Sequence, residues 1–344
     1  MFQIELILRL QSLASDRLTA FMNVVTTLGS DKILAAILLI IVLGVSFRRG
    51  ILLIQMFMWT LLLTDGLKAA FSLPRPTFVS SHIQDLQHNN ANLSPFANGG
   101  AKTFFGPIDS QTVSVFRLRG NEDFGFPSGH VSSVVALWGG MMVLFRKRIL
   151  YWIAPVLIIL VALSRMYLGW HFLGDVLGGA LLGTAVLALA YLFLKRWGIE
   201  QKLFERTNLE FVRRTLNIPL YAMELGAPII LGILFPHALG KGAGYLVGAN
   251  TALILLVLRQ GAPKETASLL QRVVRVSLGF TFYFSAYGIA ELILEPTGLE
   301  AIAFLDEFVK SAVMIFVSIY GAYSVGDWLT TKILNKSASI TSIQ

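Results

Sequence analysis

The chain has 344 residues, 55% of them hydrophobic and 14% charged. That is too apolar for an ordinary soluble domain, and the lack of strand-and-turn alternation argues against an outer-membrane barrel, leaving an all-α, polytopic transmembrane helical bundle. The net charge of +8 does not mark a nucleic-acid binder, because the basic residues cluster in short loops between apolar runs rather than in one solvated stripe. The absence of cysteine excludes disulfides and thiolate ligands.

Residues 3–27 read as one amphipathic helix, with Ile4, Leu6, Ile7, Leu10, Leu13 and Leu18 near helical spacing. Its charges Glu5, Arg9, Asp16 and Arg17 favour the membrane interface over a span, and the segment lacks the charged and apolar regions of a signal peptide. Segment 1–28 therefore stands apart as an N-terminal helix. Gly29-Ser30-Asp31 starts a spanning run over 32–47, and a second follows Arg48-Arg49-Gly50 over 51–71. Residues 74–126 contain no spanning run. Connections this long are usually functional lids or disordered segments, and 77–126 is assigned as a lid. A third span begins near Gly129 and ends at Arg146-Lys147-Arg148, a fourth covers 149–167, and a fifth runs from His171 to Lys195-Arg196. The membrane core is thus 29–196. Residues 197–216, with Glu200, Lys202, Glu205, Arg206, Arg213 and Arg214, read as a charged interfacial connector. Four more apolar runs, at 217–236, 243–259, 270–292 and 303–331, form a C-terminal extension over 217–344. Gly174, Gly178, Gly179 and Gly183 in the fifth span, and Gly226, Gly232, Gly244 and Gly248 in the extension, suit close helix packing.

Threading these nine helices in order puts Arg48-Arg49, Arg146-Lys147-Arg148, Lys195-Arg196 and the Arg259/Lys264/Arg272/Arg275 group on one side. The positive-inside rule makes that side, and the C-terminus, cytoplasmic. The long loop, Pro127-Ser128-Gly129-His130 and the segment before His171 then share the extracytoplasmic face.

Three polar clusters fall on that face: Lys68 with Arg75-Pro76, Phe126-Pro127-Ser128-Gly129-His130, and Ser164-Arg165 with His171 and Asp175. Ionisable residues among apolar runs are functional candidates, because burying them unpaired is costly. Three cations at one face call for an anion between them. A phosphate supplies it, with arginine binding in bidentate fashion and the N–H groups of the helix that starts at Ser128-Gly129 adding an anion site. His171 and Asp175 are four apart and share a helical face, so the carboxylate can hold one ring nitrogen while the other attacks phosphorus. His130, beside the cradle, is the better general acid for the leaving oxygen. The arginines and the lysine do the charge work, so no metal and no cofactor is called for.

Each cluster alone has a plainer reading. Lys68 could snorkel to the interface, Arg75-Pro76 could start a loop, Pro-Ser-Gly is a common helix start, Arg165 could bond a carbonyl, and His171–Asp175 could be a structural pair. The three clusters in order on one face favour the functional reading. Elsewhere, His82 and His88 form a weak two-histidine metal candidate. Asp85, Asp109, Glu122 and Asp123 read as a solvated loop, and Trp170, like Trp59 and Trp152, as an interfacial anchor. His237 and Lys241 have no nameable partner.

The set Lys68…Arg75-Pro76, Pro127-Ser128-Gly129-His130 and Ser164-Arg165…His171…Asp175 resembles the three-part signature of the type 2 phosphatidic acid phosphatase superfamily, the lipid phosphate phosphatases, over about residues 30–195. The resemblance implies a helical bundle with an extracytoplasmic site and His171 as nucleophile, Asp175 as its partner and His130 as acid/base. It also implies phosphate binding by Lys68, Arg75, Ser128, Gly129 and Arg165. Family substrates include phosphatidic acid, phosphatidylglycerol phosphate, undecaprenyl diphosphate, sphingoid phosphates and, in one branch, glucose 6-phosphate. Vanadium haloperoxidases share the signature but are soluble. The long loop and four extra helices depart from the compact members, and nine helices with an outward N-terminus are similar to the glucose-6-phosphatase branch. The expected function is a membrane phosphatase acting on a phosphorylated lipid among membrane lipids, with no nucleic-acid partner. A sugar-phosphate phosphatase or phosphotransferase is the enzymatic alternative, and a lipid-binding or transport protein on the same bundle the non-enzymatic one. The C-terminal helices could form a homo-oligomer interface, widen the lipid access path or bind a partner.

Overall fold

The computed structural model describes residues 2–88, 92, 94–100, 107–120, 123–197, 222–260, 263, 265, 268–298, 302 and 304–341. Nearly all of the connector expected at 197–216, the start of the run at 217–236, and Glu122, Lys264 and Glu300 lie outside the described residues. The described residues form helices and no strand.

The segment expected as one helix over 3–27 forms two, α1 (Phe2–Gln11) and α2 (Asp16–Thr27). Ser15 separates them. Its backbone is extended and its hydroxyl accepts the Leu18 N–H at 3.4 Å, an N-cap that begins a new helix. Helix α3 (Asp31–Ile40) continues through a wider turn at Ile41–Val45, and α4 (Phe47–Phe71) follows. The segment expected to form a lid, and called the lid below, contains short helices α5 (Pro76–Val79) and α6 (Ser110–Leu118). Helix α7 (Gly129–Val134) leads through a wide turn at Val135–Gly139 into α8 (Gly140–Phe145), and then come α9 (Arg148–Tyr167) and α10 (Leu173–Trp197).

Among the described residues, six helices are long and apolar enough to cross a membrane. A seventh span arises if Asp16–Thr27 and Asp31–Val45, bent by 48°, are taken together. The runs expected near 129–146 and 217–236 correspond to shorter apolar helices, Gly129–Phe145 and Ala222–Leu234. The chain is a multi-pass helical membrane protein.

Two compact units divide it. One comprises Met1–Leu34 and Trp59–Leu189, the other Ala35–Met58 and Ala190–Gln344. In the first, α1, α2 and α7 pack against α9. Helix α1 buries Ile4 and Ile7 against Val79 and Ile83 of the lid and Phe172 of the third motif. Burial of that kind contributes about 1.5–3 kcal/mol per large apolar side chain and fixes α1 to the lid. Gly179 and Gly183 let α10 lie close to the start of α7, since a Cβ would sit 2.5 Å from the Ser128 carbonyl and 2.9 Å from Val135. In the second unit, Gly244 and Gly248 on helix 236–260 face the backbone carbonyls of Phe308 and Ala312 so closely that neither position has room for a Cβ. The Asn250 amide there donates to the Glu224 carbonyl at 2.7 Å and to its carboxylate at 2.8 Å, and Gln55 donates to Asn250.

Candidate active site

All eight expected site residues lie in the first unit, at matching helix ends: the C-terminal end of α4, the N-terminal end of α7, the C-terminal end of α9 and the N-terminal end of α10. Local sequence explains the placement of the first two motifs. Ser72 takes a left-handed φ of 46° just past α4, and its hydroxyl donates to the Ala69 carbonyl at 2.6 Å, which ends the helix at Phe71 and leaves Lys68 in its last turn. Arg75 precedes Pro76 and is held extended at φ −76°, ψ 161°. It can therefore turn back toward the helix end while Pro76 starts α5. Gly129 opens α7, where a Cβ would lie 3.3 Å from Lys68 Nζ, so glycine lets the lysine approach the helix start. The Ser128 N–H donates to the Asp175 carbonyl at 2.9 Å and ties this turn to α10.

Asp175 Oδ2 accepts the Phe172 N–H at 2.8 Å and lies 3.5 Å from His171 Nδ1. His171 is 2% exposed, and burial, followed by the positive charges of Arg165, Arg75 and Lys68 and the nearby His130, pushes its pKa well below the ordinary histidine value. The ring is thus neutral at physiological pH, with Nδ1 directed at the carboxylate and Nε2 the other nitrogen. The same charges place Lys68, Arg75, His130 and Arg165 within electrostatic reach of one imidazole.

The arginines are partly held and partly open. Arg75 Nη2 pairs with Asp123 Oδ1 at 2.6 Å and its Nε donates to the Asp123 carbonyl at 3.2 Å. Arg165 Nη1 donates to Thr26 Oγ1 at 2.9 Å and Gln87 Oε1 at 3.1 Å. Among the described residues, eight buried side-chain atoms lack a hydrogen-bond partner, and Arg75 Nη1, Arg165 Nε, Ser128 Oγ and His171 Nδ1 are four of them. Unsatisfied buried polar atoms are costly and uncommon. Three donors of this kind, two on arginines whose charges act on His171 and one on Ser128 beside Asp175, have the chemistry to bind an anion with several oxygens.

Sequence reasoning missed several neighbours of the site. Asp85 is not simply a solvated loop residue. Its Oδ1 accepts the Trp170 indole N–H at 3.0 Å, and its Oδ2 lies 3.1 Å from His88 Nδ1. Burial works against the Asp85 carboxylate, but the hydrogen bonds from His88, Trp170 and Gln87 outweigh it and hold its pKa below the usual value. Trp170, expected as an interfacial anchor, also packs against the site, with Arg75 Cζ 4.2 Å and Arg165 Cζ 5.1 Å from its ring centroid. Thr26, Gln3 and Gln11 of the N-terminal helices also reach the motifs: the Gly174 N–H donates to Gln3 Oε1 at 3.0 Å, and Gln11 Nε2 to the Tyr167 carbonyl at 3.1 Å. Gln3, Gln11 and Thr26 stand among Glu5, Arg9, Asp16 and Arg17 on an amphipathic stretch, so no local pattern set them apart.

Comparison with known proteins identifies the family. A family model for the PAP2 superfamily matches residues 48–199, which include all eight positions. Phosphatidylglycerophosphatase B of Bacillus subtilis is 30% identical over 185 residues, covering 50% of this chain and 73% of that protein. Lipid A 4'-phosphatase of Porphyromonas gingivalis is 32% identical over 78 residues, 23% of this chain and 33% of that protein. No solved structure matches. With its motifs gathered at one set of helix ends and most of one relative's length covered, the chain belongs to the PAP2 superfamily, as a phosphatase.

Proposed function

We propose that this membrane protein hydrolyses the phosphomonoester, or the terminal phosphate of a diphosphate, of a lipid at the extracytoplasmic face, through a phosphohistidine and without a metal ion. The observation that carries the reading is the set of buried, unpartnered donors on Arg75, Arg165 and Ser128 around a neutral, carboxylate-oriented His171. The lipid class is supported by the two relatives, whose names denote phosphatases of a phosphorylated glycerolipid and of lipid A.

In this reading His171 Nε2 attacks phosphorus in line with the ester oxygen. The N–P bond forms as the P–O bond breaks, and His130, protonated once the phosphate's negative charge offsets the nearby Arg165, Lys68 and Arg75, gives that proton to the leaving alkoxide. Asp175 holds the ring and stabilises the positive charge that develops on it. Water then attacks phosphorus, its proton passes to His130, and the N–P bond breaks to release inorganic phosphate. Lys68, Arg75, Arg165, the Ser128 hydroxyl and the N–H groups at the start of α7 stabilise the equatorial oxygens, so catalysis rests on positioning and charge.

The basic residues support this sidedness. Arg48-Arg49, Arg146-Lys147-Arg148 and Lys195-Arg196 lie at the ends of their helices opposite to the motif residues, and by the positive-inside rule that end is cytoplasmic.

The test is phosphate release by the purified protein in mixed micelles from phosphatidylglycerol phosphate, phosphatidic acid, undecaprenyl diphosphate and glucose 6-phosphate. An acid-labile, base-stable phosphoenzyme should be trapped on brief incubation with labelled lipid and be absent in His171→Ala. Full activity in that variant, or a preference for glucose 6-phosphate over every lipid, overturns the proposal.

A further inference from the structure

Trp170 stands where two phosphate-binding arginines meet, and nothing in the motif chemistry requires it. Its ring carries Arg75 Cζ at 4.2 Å and Arg165 Cζ at 5.1 Å. Its indole N–H is tied to the lid through Asp85 Oδ1 at 3.0 Å, and the His88 ring lies against it at 5.1 Å between centroids. Asp85 is itself fixed: Oδ1 also accepts the N–H groups of Gln87 at 3.0 Å and His88 at 3.2 Å. The lid backbone is pinned to the third motif at this point, with the Leu86 N–H donating to the Leu168 carbonyl at 3.3 Å and Gln87 accepting from Arg165.

We infer that Trp170, held by Asp85 of the lid, is a positioning residue that sets the planes of the Arg75 and Arg165 guanidiniums, so that their free donors converge on one phosphate. The inference rests on the phosphate-cradle reading above. Two guanidiniums without an anion between them repel, and each has several rotamers in which its donors would be lost to solvent or to the lid. A π face attracts both cations and admits them only over the ring, and this limits where each fork can point. Hydrogen bonds hold one part of each guanidinium, Asp123 on Arg75 and Thr26 with Gln87 on Arg165, while Arg75 Nη1 and Arg165 Nε remain. The indole supplies a constraint that those bonds lack, because it acts on both arginines at once. The lid thereby belongs to the cradle: the Asp85 charge acts on both arginines, and its hydrogen bond to the indole holds the ring that orders them.

The test uses the full-length protein in detergent, with orthovanadate as the probe, its affinity measured by titration calorimetry and its folding followed by thermal unfolding. Trp170→Leu is expected to weaken vanadate binding by about tenfold or more, and Trp170→Phe, which keeps a π face, by clearly less. Asp85→Ala should weaken it several-fold, and Asp85→Asn, which keeps an acceptor for the indole, should restore most of the loss. The decisive readout is coupling. If Asp85 acts through Trp170, the Asp85→Ala/Trp170→Leu pair binds vanadate no more weakly than Trp170→Leu alone. Should Trp170→Leu not fold, the Asp85→Ala and Asp85→Asn comparison, made in both the wild-type and Trp170→Phe backgrounds, carries the same contrast. Unchanged vanadate affinity in the folded variants, or losses that simply add, overturns the inference. Vanadate bound tightly by a wild-type protein that cleaves no phospholipid would sink the lipid-phosphatase reading and leave the clamp standing, whereas a wild-type protein that binds no vanadate overturns both.

Discussion

Arg75 offers Nη2 and Nε to Asp123, at 2.6 Å to the carboxylate and 3.2 Å to the backbone carbonyl, and keeps Nη1 buried without a partner. The two partners differ in exposure: the Asp123 side chain is 64% exposed and that of Arg75 13%. A phosphate that used both of the arginine's terminal nitrogens would displace the carboxylate but not the carbonyl. On the proposed phosphate-binding reading Asp123 competes with the incoming anion. Asp123→Asn should tighten inhibition by inorganic phosphate by about threefold at low salt, the range of an exposed ion pair, with the gap shrinking at high salt. Equal inhibition constants for the two proteins at low salt would remove Asp123 from that role.

Gly169 joins α9 to the third motif with φ +83°, and a Cβ there would overlap the Gln84 carbonyl of the lid. Gly120 has a similar φ of +65° but nothing within 4 Å. Gly169→Ala combines left-handed strain with a clash against backbone and should cost about 2 kcal/mol or more, whereas Gly120→Ala should cost about 1 kcal/mol from conformation alone. Thermal midpoints of the two variants separate these contributions. Similar losses would mean that the lid yields freely at Gln84.

How much of this was legible beforehand depended on whether a residue's role is written in its neighbours. Lys68, Arg75, Ser128, Arg165, His171 and Asp175 are conspicuous because charge or hydroxyl chemistry stands at fixed spacing beside apolar runs, where it is expensive. The helix order followed from hydropathy for the same reason. Asp85 and Thr26 could not be read, because a lone carboxylate in a polar loop and a threonine in an amphipathic helix have the same local pattern whether they face water or an active site. Only the approach of the lid to Leu168–Gly169 turns Asp85 toward Trp170. The break between α1 and α2 rests on a single capping serine inside a continuous helical period, and periodicity is blind to such a cap.

The depressed pKa of His171 gives a signed dependence of stability on pH. In the unfolded chain the ring takes up a proton near its ordinary value of 6.5, while the folded site resists it because of burial and the neighbouring cations. The unfolded state then binds more protons, so stability falls as pH drops from about 7 through the window below 6.5. His171→Gln lacks that group. Its thermal midpoint should fall less between pH 7.5 and pH 5 than that of the wild-type protein, by the equivalent of about 1–2 kcal/mol. Parallel pH profiles for the two proteins would show that the ring is not protected from protonation.

Three permanent cations, Lys68, Arg75 and Arg165, act on the same imidazole and would repel a divalent ion brought among them. In the mechanism proposed above their positive charge does for phosphoryl transfer what a metal does elsewhere. Phosphate release should therefore stay within about twofold of its starting rate after chelation with EDTA. Loss of activity on chelation, restored by a divalent salt, would contradict the charge assignment.

Arg165 tests whether the geometry of the cations matters as well as their charge. Its Nη1 is shared between Thr26 and Gln87, and its Nε is left as a donor on another edge of the same planar group. Lysine keeps the charge but has one nitrogen, which cannot bond both protein acceptors and the phosphate from these directions. In Arg165→Lys the ammonium either satisfies Thr26 and Gln87 and abandons the substrate, or turns to the substrate and leaves two acceptors unmatched. Either choice removes stabilisation that grows as charge spreads over the equatorial oxygens. We expect kcat/KM to fall by about 10- to 100-fold, roughly 1.4–2.7 kcal/mol, with most of the loss in kcat. A variant that loses only KM, with kcat intact, would assign Arg165 to ground-state binding and leave Lys68, Arg75 and the start of α7 as the groups that stabilise the transferring phosphoryl.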